Sequence, residues 1–268
     1  MSTQNTLARS FKALHTPHSP LVLTNIWDAL TAQSISSLPG TTALATASAA
    51  IALAAGVPDQ DLDLATNLRA CSAIARVARQ HNLPLTVDMQ DGYGAQLEDG
   101  VRAVIALGVV GINLEDLDRE TDGLYSISEA CARIQRVMCV ARELGVPDFV
   151  VNARTDVLIS GGTVDDAIER GKAYLDAGAF NVFVWGGRQR KGWNRTEVQK
   201  VAGALGGRLN VILVRMDGEG RVKEGLSVSE LREIGVCRIS VGPQLMRWVM
   251  ARVAEEAGRV LAGEKSGE

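Results

Sequence analysis

The chain has 268 residues and a formal net charge of −3; 46% of its residues are hydrophobic but only 4% aromatic. It has no long basic run, which argues against nucleic acid or an anionic membrane surface as its main partner. No uninterrupted apolar stretch of about 18 residues occurs, so nothing reads as a membrane span. Ala, Val, Leu and Ile must therefore build the core, as in helices layered on a parallel sheet. The cysteines, Cys71, Cys131, Cys139 and Cys237, show no CxxC spacing and are expected to be reduced thiols of a cytoplasmic protein.

At the start of the chain, Arg9 and Lys12 precede any acid, a faint transit-peptide signal. Leu7, Phe11 and Leu14 instead recur at the i, i+4, i+7 spacing of an amphipathic helix that would cap the fold. Strand-length apolar runs follow near 21–26, 42–46, 84–89, 111–115, 149–154, 180–185, 209–214 and 237–241. Alanine-rich helical segments lie between them, among them 62–81, 97–107, 127–144, 164–177 and 228–234. Eight β/α units across residues 1–268, without a Ser/Pro linker, match one (β/α)8 barrel domain of TIM type. A doubly wound open sheet is the alternative. It would usually carry a Gly-rich turn after its first strand, where this chain reads Thr24-Asn25-Ile26-Trp27-Asp28. The last helix, from about Pro243 to Leu261, carries Leu245, Met246, Trp248, Val249, Met250, Val253 and Val260. That spread is wider than the stripe a helix needs to sit on one barrel, and it predicts a homo-oligomer interface anchored by Trp248. Packing on the N-terminal helix around Phe11 is the alternative.

Three successive strands end abruptly in charge: Val87-Asp88-Met89-Gln90-Asp91, Gly111-Ile112-Asn113-Leu114-Glu115-Asp116 and Val150-Val151-Asn152-Ala153-Arg154-Thr155-Asp156. Burying charge is costly unless it is paired or binds metal, so three such ends imply a shared polar site. Positions i and i+2 share a face, which sets Asp88 above Thr86, Glu115 above Asn113 and Arg154 above Asn152. The C-terminal strand ends of a barrel carry the chemistry. The candidates there are Asn25, Trp27 and Asp28, then Thr46 and Ser48, then Asp88, Gln90 and Asp91, then Glu115 and Asp116, then Arg154 and Asp156. Trp185-Gly186-Gly187-Arg188 follows the sixth strand, and its glycines are a weak anion-binding signal. Polar residues thin out on the last two strands.

Asp88 and Glu115 would lie on adjacent strands about 4.8 Å apart and repel each other unless a cation intervenes. Mg²⁺ suits one or two carboxylates, with water and substrate filling its octahedron. Pairing of each acid with an arginine is the alternative, Arg154 being the obvious partner. Arg154 itself reads either as a bidentate clamp for a substrate carboxylate or as a structural ion pair. Asp116 and Asp156 are expected to be helix caps or supporting groups, and Asp59, taken alone, an N-cap. His15, His18, His81 and the lysines all avoid the strand ends, which argues against histidine catalysis and against a Schiff base.

Together these segments resemble the isocitrate lyase and phosphoenolpyruvate mutase superfamily over nearly the full length. The matching residues are Phe11-Lys12-Ala13-Leu14-His15, Leu23 to Leu30, Ala47-Ser48-Ala49-Ala50 through Gly56-Val57-Pro58-Asp59, and the three charged strand ends. Leu226 to Leu231 and Arg238-Ile239-Ser240-Val241-Gly242-Pro243 complete the set. The resemblance implies a Mg²⁺- or Mn²⁺-dependent barrel acting on small 2-oxo carboxylates through an enolate, assembled as dimers or tetramers by exchange of the last helix. It implies metal-site roles for Asp88, Gln90 and Glu115, and catalytic roles for Asp59 and Arg154. It implies substrate contacts from Trp27, Thr46, Ser48, Asp88 and Arg154. Two departures stand out. Gln90 occupies the place of a second metal-side acid, which Asp91 could offset. The loop from Leu117 to Ser126 lacks the Lys-Lys-Cys-Gly-His sequence of true isocitrate and methylisocitrate lyases. The expected activity is C–C cleavage of a small 2-oxo or 2-hydroxy dicarboxylate, by decarboxylation or retro-aldol reaction. P–C bond chemistry and a non-catalytic 2-oxo-acid binder are the alternatives.

Overall fold

The computed structural model describes residues 2–186, 194–213 and 225–263. After helix α1 (Thr3–Ala13) the chain alternates strands and helices: β1 (Leu21–Leu23), α2 (Ala29–Ser36), β2 (Leu44–Ala45), α3 (Ser48–Ala54), α4 (Leu64–Gln80), β3 (Leu85–Asp88), α5 (Leu97–Ala106) and β4 (Gly111–Glu115). A small antiparallel pair, β5 (Leu117–Asp118) and β6 (Gly123–Leu124), is followed by α6 (Ile127–Glu143), β7 (Val150–Thr155) and α7 (Val164–Asp176). The chain continues with β8 (Asn181–Val184), α8 (Arg195–Ala204), β9 (Leu209–Ile212), α9 (Val228–Ile234), β10 (Arg238–Ser240) and α10 (Gln244–Leu261). Helix starts follow the local chemistry. Asp63, Ser126, Thr163 and Ser227 each accept the N3 backbone N–H of the helix that follows, which satisfies one donor that lacks an intrahelical partner.

Eight strands form one parallel sheet in the order β1-β10-β9-β8-β7-β4-β3-β2. The remaining gap is spanned by a parallel bridge between Ile26 and Thr46, so the sheet curls into the expected (β/α)8 barrel. The apolar run 21–26 is thus a three-residue strand plus a single bridging residue rather than one strand. The other runs end within one or two residues of expectation, except that Val214 lies outside the described residues. Asn25 ties the seam. Its Nδ2 donates to Thr46 O at 2.8 Å, and its Oδ1 accepts from the N–H groups of Val241 and Gly242 at 2.9 and 2.8 Å.

Valine, leucine and alanine fill the shell between the sheet and its helices. The inside of the barrel is instead polar. Asn152 donates to Asn113 Oδ1 at 2.8 Å, Asn181 donates to Asn152, and Arg238 reaches across from β10 to Asn113 at 3.1 Å. Asn210 and Ser240 are buried there too, joined at 3.2 Å. The last two strands thus carry polar residues too, with Asn210 and Arg238 in their N-terminal halves, below the strand ends that form the site. Asn210 and Arg238 are each flanked by apolar neighbours whose side chains point the other way.

Helix α1 plugs the N-terminal end of the barrel. Phe11 is fully buried and lies so close to Gly111 that a Cβ there would meet its ring at 3.1 Å. His15, buried beneath, bonds Phe11 O at 2.9 Å, and burial pushes its pKa down to about 3. Helix α10 does not pack on this plug: of its residues only Met246 is buried, while Trp248, Met250, Val253, Val260 and Leu261 are exposed. No helix among the described residues is long and apolar enough to cross a membrane.

Asn25→Ala would orphan a carbonyl and two N–H groups at the seam. The expected loss is about 3 kcal/mol in a urea titration. A loss below about 0.5 kcal/mol would show that the seam closes without it.

Candidate active site

Strand register sets the heights of the charged residues. Asp88 pairs with Asn113 and Asn113 with Asn152, whereas Glu115 pairs with Arg154 one pleat higher. Asp88 is thus level with the asparagine layer, and Glu115 and Arg154 lie above it. Glu115 Oε1 accepts from Arg154 Nη1 at 2.6 Å. Asp156 receives the other edge of the guanidinium, at 2.7 Å from Nε and 2.9 Å from Nη2. The guanidinium also lies 4.4 Å from the Trp185 ring centroid. Asp116 supports this clamp from behind: its Oδ1 accepts from Asp156 N at 2.8 Å, and its Oδ2 from Tyr174 Oη at 2.6 Å and Arg170 Nη1 at 3.1 Å. Asp116 and Asp156 are therefore supporting groups and not helix caps.

Asp88 is held from three sides. Its N–H donates to Thr46 Oγ1 at 2.9 Å, and its Oδ2 accepts from Ser48 N at 3.0 Å. Its carbonyl accepts from Asn67 Nδ2 at 2.9 Å. Its Oδ1 is buried, and no atom of the described residues bonds it. Trp27 is buried at the same rim, while Asp28 caps α2 through Thr31.

The turn after β3 re-aims the next side chains. Gln90, Gly92, Tyr93 and Gly94 all have positive φ, at 50°, 85°, 61° and 60°. For Gln90 and Tyr93 that backbone is uncommon, and tertiary contacts have to hold it. At Gly92 the φ of 85° favours glycine, and a Cβ there would also press Leu97 Cδ1 at 2.4 Å. Asp91 is consumed by the turn, accepting from the N–H groups of Tyr93 at 2.9 Å and Gly94 at 3.3 Å, so it does not offset the missing acid. Gln90 Nε2 donates to both the carbonyl and Oδ1 of Asp59 at 2.8 Å, and its Oε1 accepts from Arg119 at 2.5 Å. Both of its amide N–H groups and one lone pair of its oxygen are thereby engaged. Asp59 opens a short 3-10 turn (Asp59–Asp61) and caps no helix; the cap of α4 is Asp63.

Asn67, Arg119, Asp116 as a hub and Tyr174 are absent from the sequence-derived set. One signal was available: Asn67 lies in the apolar stripe of α4 with Leu64, Cys71 and Ile74, and a polar residue there needs a buried partner. Gly187 and Arg188 lie outside the described residues. Among the described residues no three His, Cys, Asp or Glu side chains converge as a metal cage, so a cation here would draw most of its ligands from water and substrate.

Asp59, Asp88, Glu115 and Asp156 share this rim with Arg154. Burial drives Glu115 well above the usual carboxylate range, with Arg154 pulling the other way. Burial, then Asp88, raises Asp59, and burial raises Asp156 against the pull of Arg154. Burial opposes the charge of Arg154, but Asp156 and Glu115 more than offset it and keep the guanidinium protonated.

A parallel barrel with carboxylates and one clamped arginine at its C-terminal rim has the layout of a (β/α)8 enzyme. The phosphoenolpyruvate phosphomutase family model matches residues 11–261, and the chain belongs to that family, within the isocitrate lyase and phosphoenolpyruvate mutase superfamily. A candidate phosphonomutase of Burkholderia cenocepacia J2315 is 33% identical with a TM-score of 0.83, over 96% of this chain and 99% of that one. Oxaloacetate acetylhydrolase, solved with the product oxalate, is 25% identical with a TM-score of 0.82, over 98% and 90%. The 2-methylisocitrate lyase of Escherichia coli K12 is 33% identical over 138 residues, 48% of this chain and 45% of that lyase.

The raised acids set a pH dependence. The folded chain binds their protons more tightly than the unfolded chain does, so their contribution is complete below about pH 4 and is lost as pH rises through the raised values. The melting temperature of the metal-free protein is expected to fall as pH rises above the ordinary carboxylate range, and Glu115→Gln to flatten that slope. A wild-type profile that rises there instead would contradict the assignment.

Proposed function

We propose that this chain is a Mg²⁺- or Mn²⁺-dependent carbon–carbon lyase that cleaves a small 2-oxo or 2-hydroxy dicarboxylate, by decarboxylation or retro-aldol reaction through an enolate. The observation that carries this reading is the clamped arginine beside an unsatisfied carboxylate oxygen. Arg154 gives three of its five N–H groups to Asp156 and Glu115, leaving two for a ligand. Those two can grip a substrate carboxylate, and the neighbouring acids fix the guanidinium before substrate arrives. Relatives support the class: one is a 2-methylisocitrate lyase and another an oxaloacetate acetylhydrolase.

The unpartnered Oδ1 of Asp88 fits a cation, with Glu115 the second acid of the set; Gln90 Oε1, already bonded by Arg119, has one lone pair left for a water on that cation. When bound, the cation would polarise the 2-oxo group and offset charge on the enolate. The Ser48 N–H fixes the Asp88 carboxylate and Thr46 Oγ1 holds the Asp88 backbone N–H, with Thr46, Ser48 and Trp27 as the proposed substrate neighbours. As the C–C bond breaks, its electron pair stays with the retained carbon. In decarboxylation the other fragment leaves as CO₂ and Asp59 passes a proton to the retained carbon, water restoring it; in the retro-aldol reaction the Asp59 carboxylate first takes the hydroxyl proton as the oxo fragment leaves, and then passes that proton to the carbon. Cytoplasmic residence belongs to the same reading, supported by four cysteines without a disulfide among them.

A panel of 2-oxo and 2-hydroxy diacids with Mg²⁺ or Mn²⁺, followed for pyruvate or CO₂, is expected to find turnover. Asp88→Ala should abolish metal binding by the EDTA-treated protein. Arg154→Lys should cost roughly 2 kcal/mol of transition-state binding, about thirtyfold in kcat/KM, with the fold intact. An inert panel together with equal metal binding by Asp88→Ala would overturn the reading. P–C bond chemistry is the second reading, favoured by the match to the candidate phosphonomutase, so phosphonopyruvate belongs in the panel.

We propose further that α10 is covered by a second copy of the chain, in a dimer or tetramer with Trp248 at the interface. Its exposed apolar residues support this. Light scattering should report an oligomer at micromolar concentration, and a stable monomer would contradict it.

A further inference from the structure

The loop between β4 and α6 is fastened to the loop between α3 and α4 by one side chain. Arg119, next to the β5–β6 hairpin, donates through Nη1 to Leu62 O at 3.1 Å and to Gln90 Oε1 at 2.5 Å. Its Nη2 donates to Gln60 O, and its guanidinium lies 5.5 Å from the Tyr93 ring centroid. Gln90 passes the contact on, because its Nε2 grips both the carbonyl and Oδ1 of Asp59. Arg119, Gln90 and Asp59 therefore form a continuous chain over the end of β3, with Asp88 directly below the turn.

The polarity of this chain requires an amide at position 90. Arg119 has only donors and needs an acceptor, whereas the Asp59 carbonyl and carboxylate need donors. Only a side chain with an acceptor on one side and N–H groups on the other satisfies both. A glutamate would keep the arginine but leave the Asp59 carbonyl without its donor. The left-handed backbone at Gln90 is consistent with a side chain that tertiary contacts aim away from the strand axis.

We propose that Arg119 and Gln90 are positioning residues: together they dock the β4–α6 loop on residues 59–62 and orient the Asp59 carboxyl toward the site. The loop then acts as a strap held by hydrogen bonds to three acceptors on neighbouring loops. This inference rests on the lyase reading for its catalytic consequence but not for the docking itself.

Two measurements separate these parts. In hydrogen exchange on the full chain, Arg119→Met and Gln90→Leu should each raise exchange about tenfold or more in peptides spanning 59–62 and 117–124, and leave β7 and β8 unchanged. Combining the two substitutions should add little, because either one breaks the chain. On a substrate found by the panel, Arg119→Met should lower kcat roughly tenfold or more while KM changes less than about threefold. Arg119→Lys should recover only part of the loss, since a single ammonium cannot reach all three acceptors in the same fork. Wild-type exchange in both peptides for both variants would overturn the inference and leave the lyase reading standing. Raised exchange with no substrate turned over by any variant would sustain the docking and count against the lyase reading alone. Raised exchange with wild-type kcat in Arg119→Met would overturn the positioning role.

Discussion

The rim of this barrel depends on Arg154 being held between Asp156 and Glu115. A guanidinium this deep could not stand alone, since breaking such a pair typically costs 3–5 kcal/mol. The pair needs supports of its own. Asp156 is fixed by Asp116, and Asp116 by Tyr174 and Arg170 on α7, so a helix on the outside of the barrel sets the direction of an arginine at its mouth. Packing energy from the α7 shell is thereby converted into a fixed substrate-facing geometry, which a flexible surface arginine could not offer.

The second consequence concerns charge. Asp59 and Asp88 are not ion-paired with Arg154, which is committed to the other two acids. Asp59 is instead held by Gln90 and Arg119, and Asp88 by Thr46 and the Ser48 backbone. These contacts fix position without giving either acid a direct ion pair. Below, the Asn113–Asn152–Asn181 chain and Arg238 keep the barrel interior polar, so the acids stand on hydrogen-bonded side chains. Such a rim takes up either a proton or a cation, and that exchange underlies the lyase reading.

The barrel was legible because its strands are apolar runs separated by helix-period segments, but that pattern does not fix register: Asp88 and Glu115, expected at matching heights, differ by one pleat because Asp88 pairs with Asn113. The pairing of Glu115 with Arg154 was within reach, because both are the last in-facing residues of neighbouring strands. What stayed hidden depended on loop backbone. Gln90 follows Asp88 by two and would share its face in a continuing strand, but a left-handed φ of 50° turns it toward Asp59. Arg119 is an unremarked residue in a polar loop, and only the folded chain brings it within reach of Leu62, 57 residues earlier. Asn210 and Arg238 were masked by apolar neighbours whose alternation marks a strand but does not reveal which face is wet.

Burial raises the proton affinity of Glu115 and Asp59, and a divalent cation bound at the proposed site would compete with those protons. Titrating Mg²⁺ into the EDTA-treated protein at about pH 7, in two buffers of different ionisation enthalpy, counts the protons released on binding. The account predicts net proton release that shrinks in Glu115→Gln. Metal binding with no proton release would contradict it.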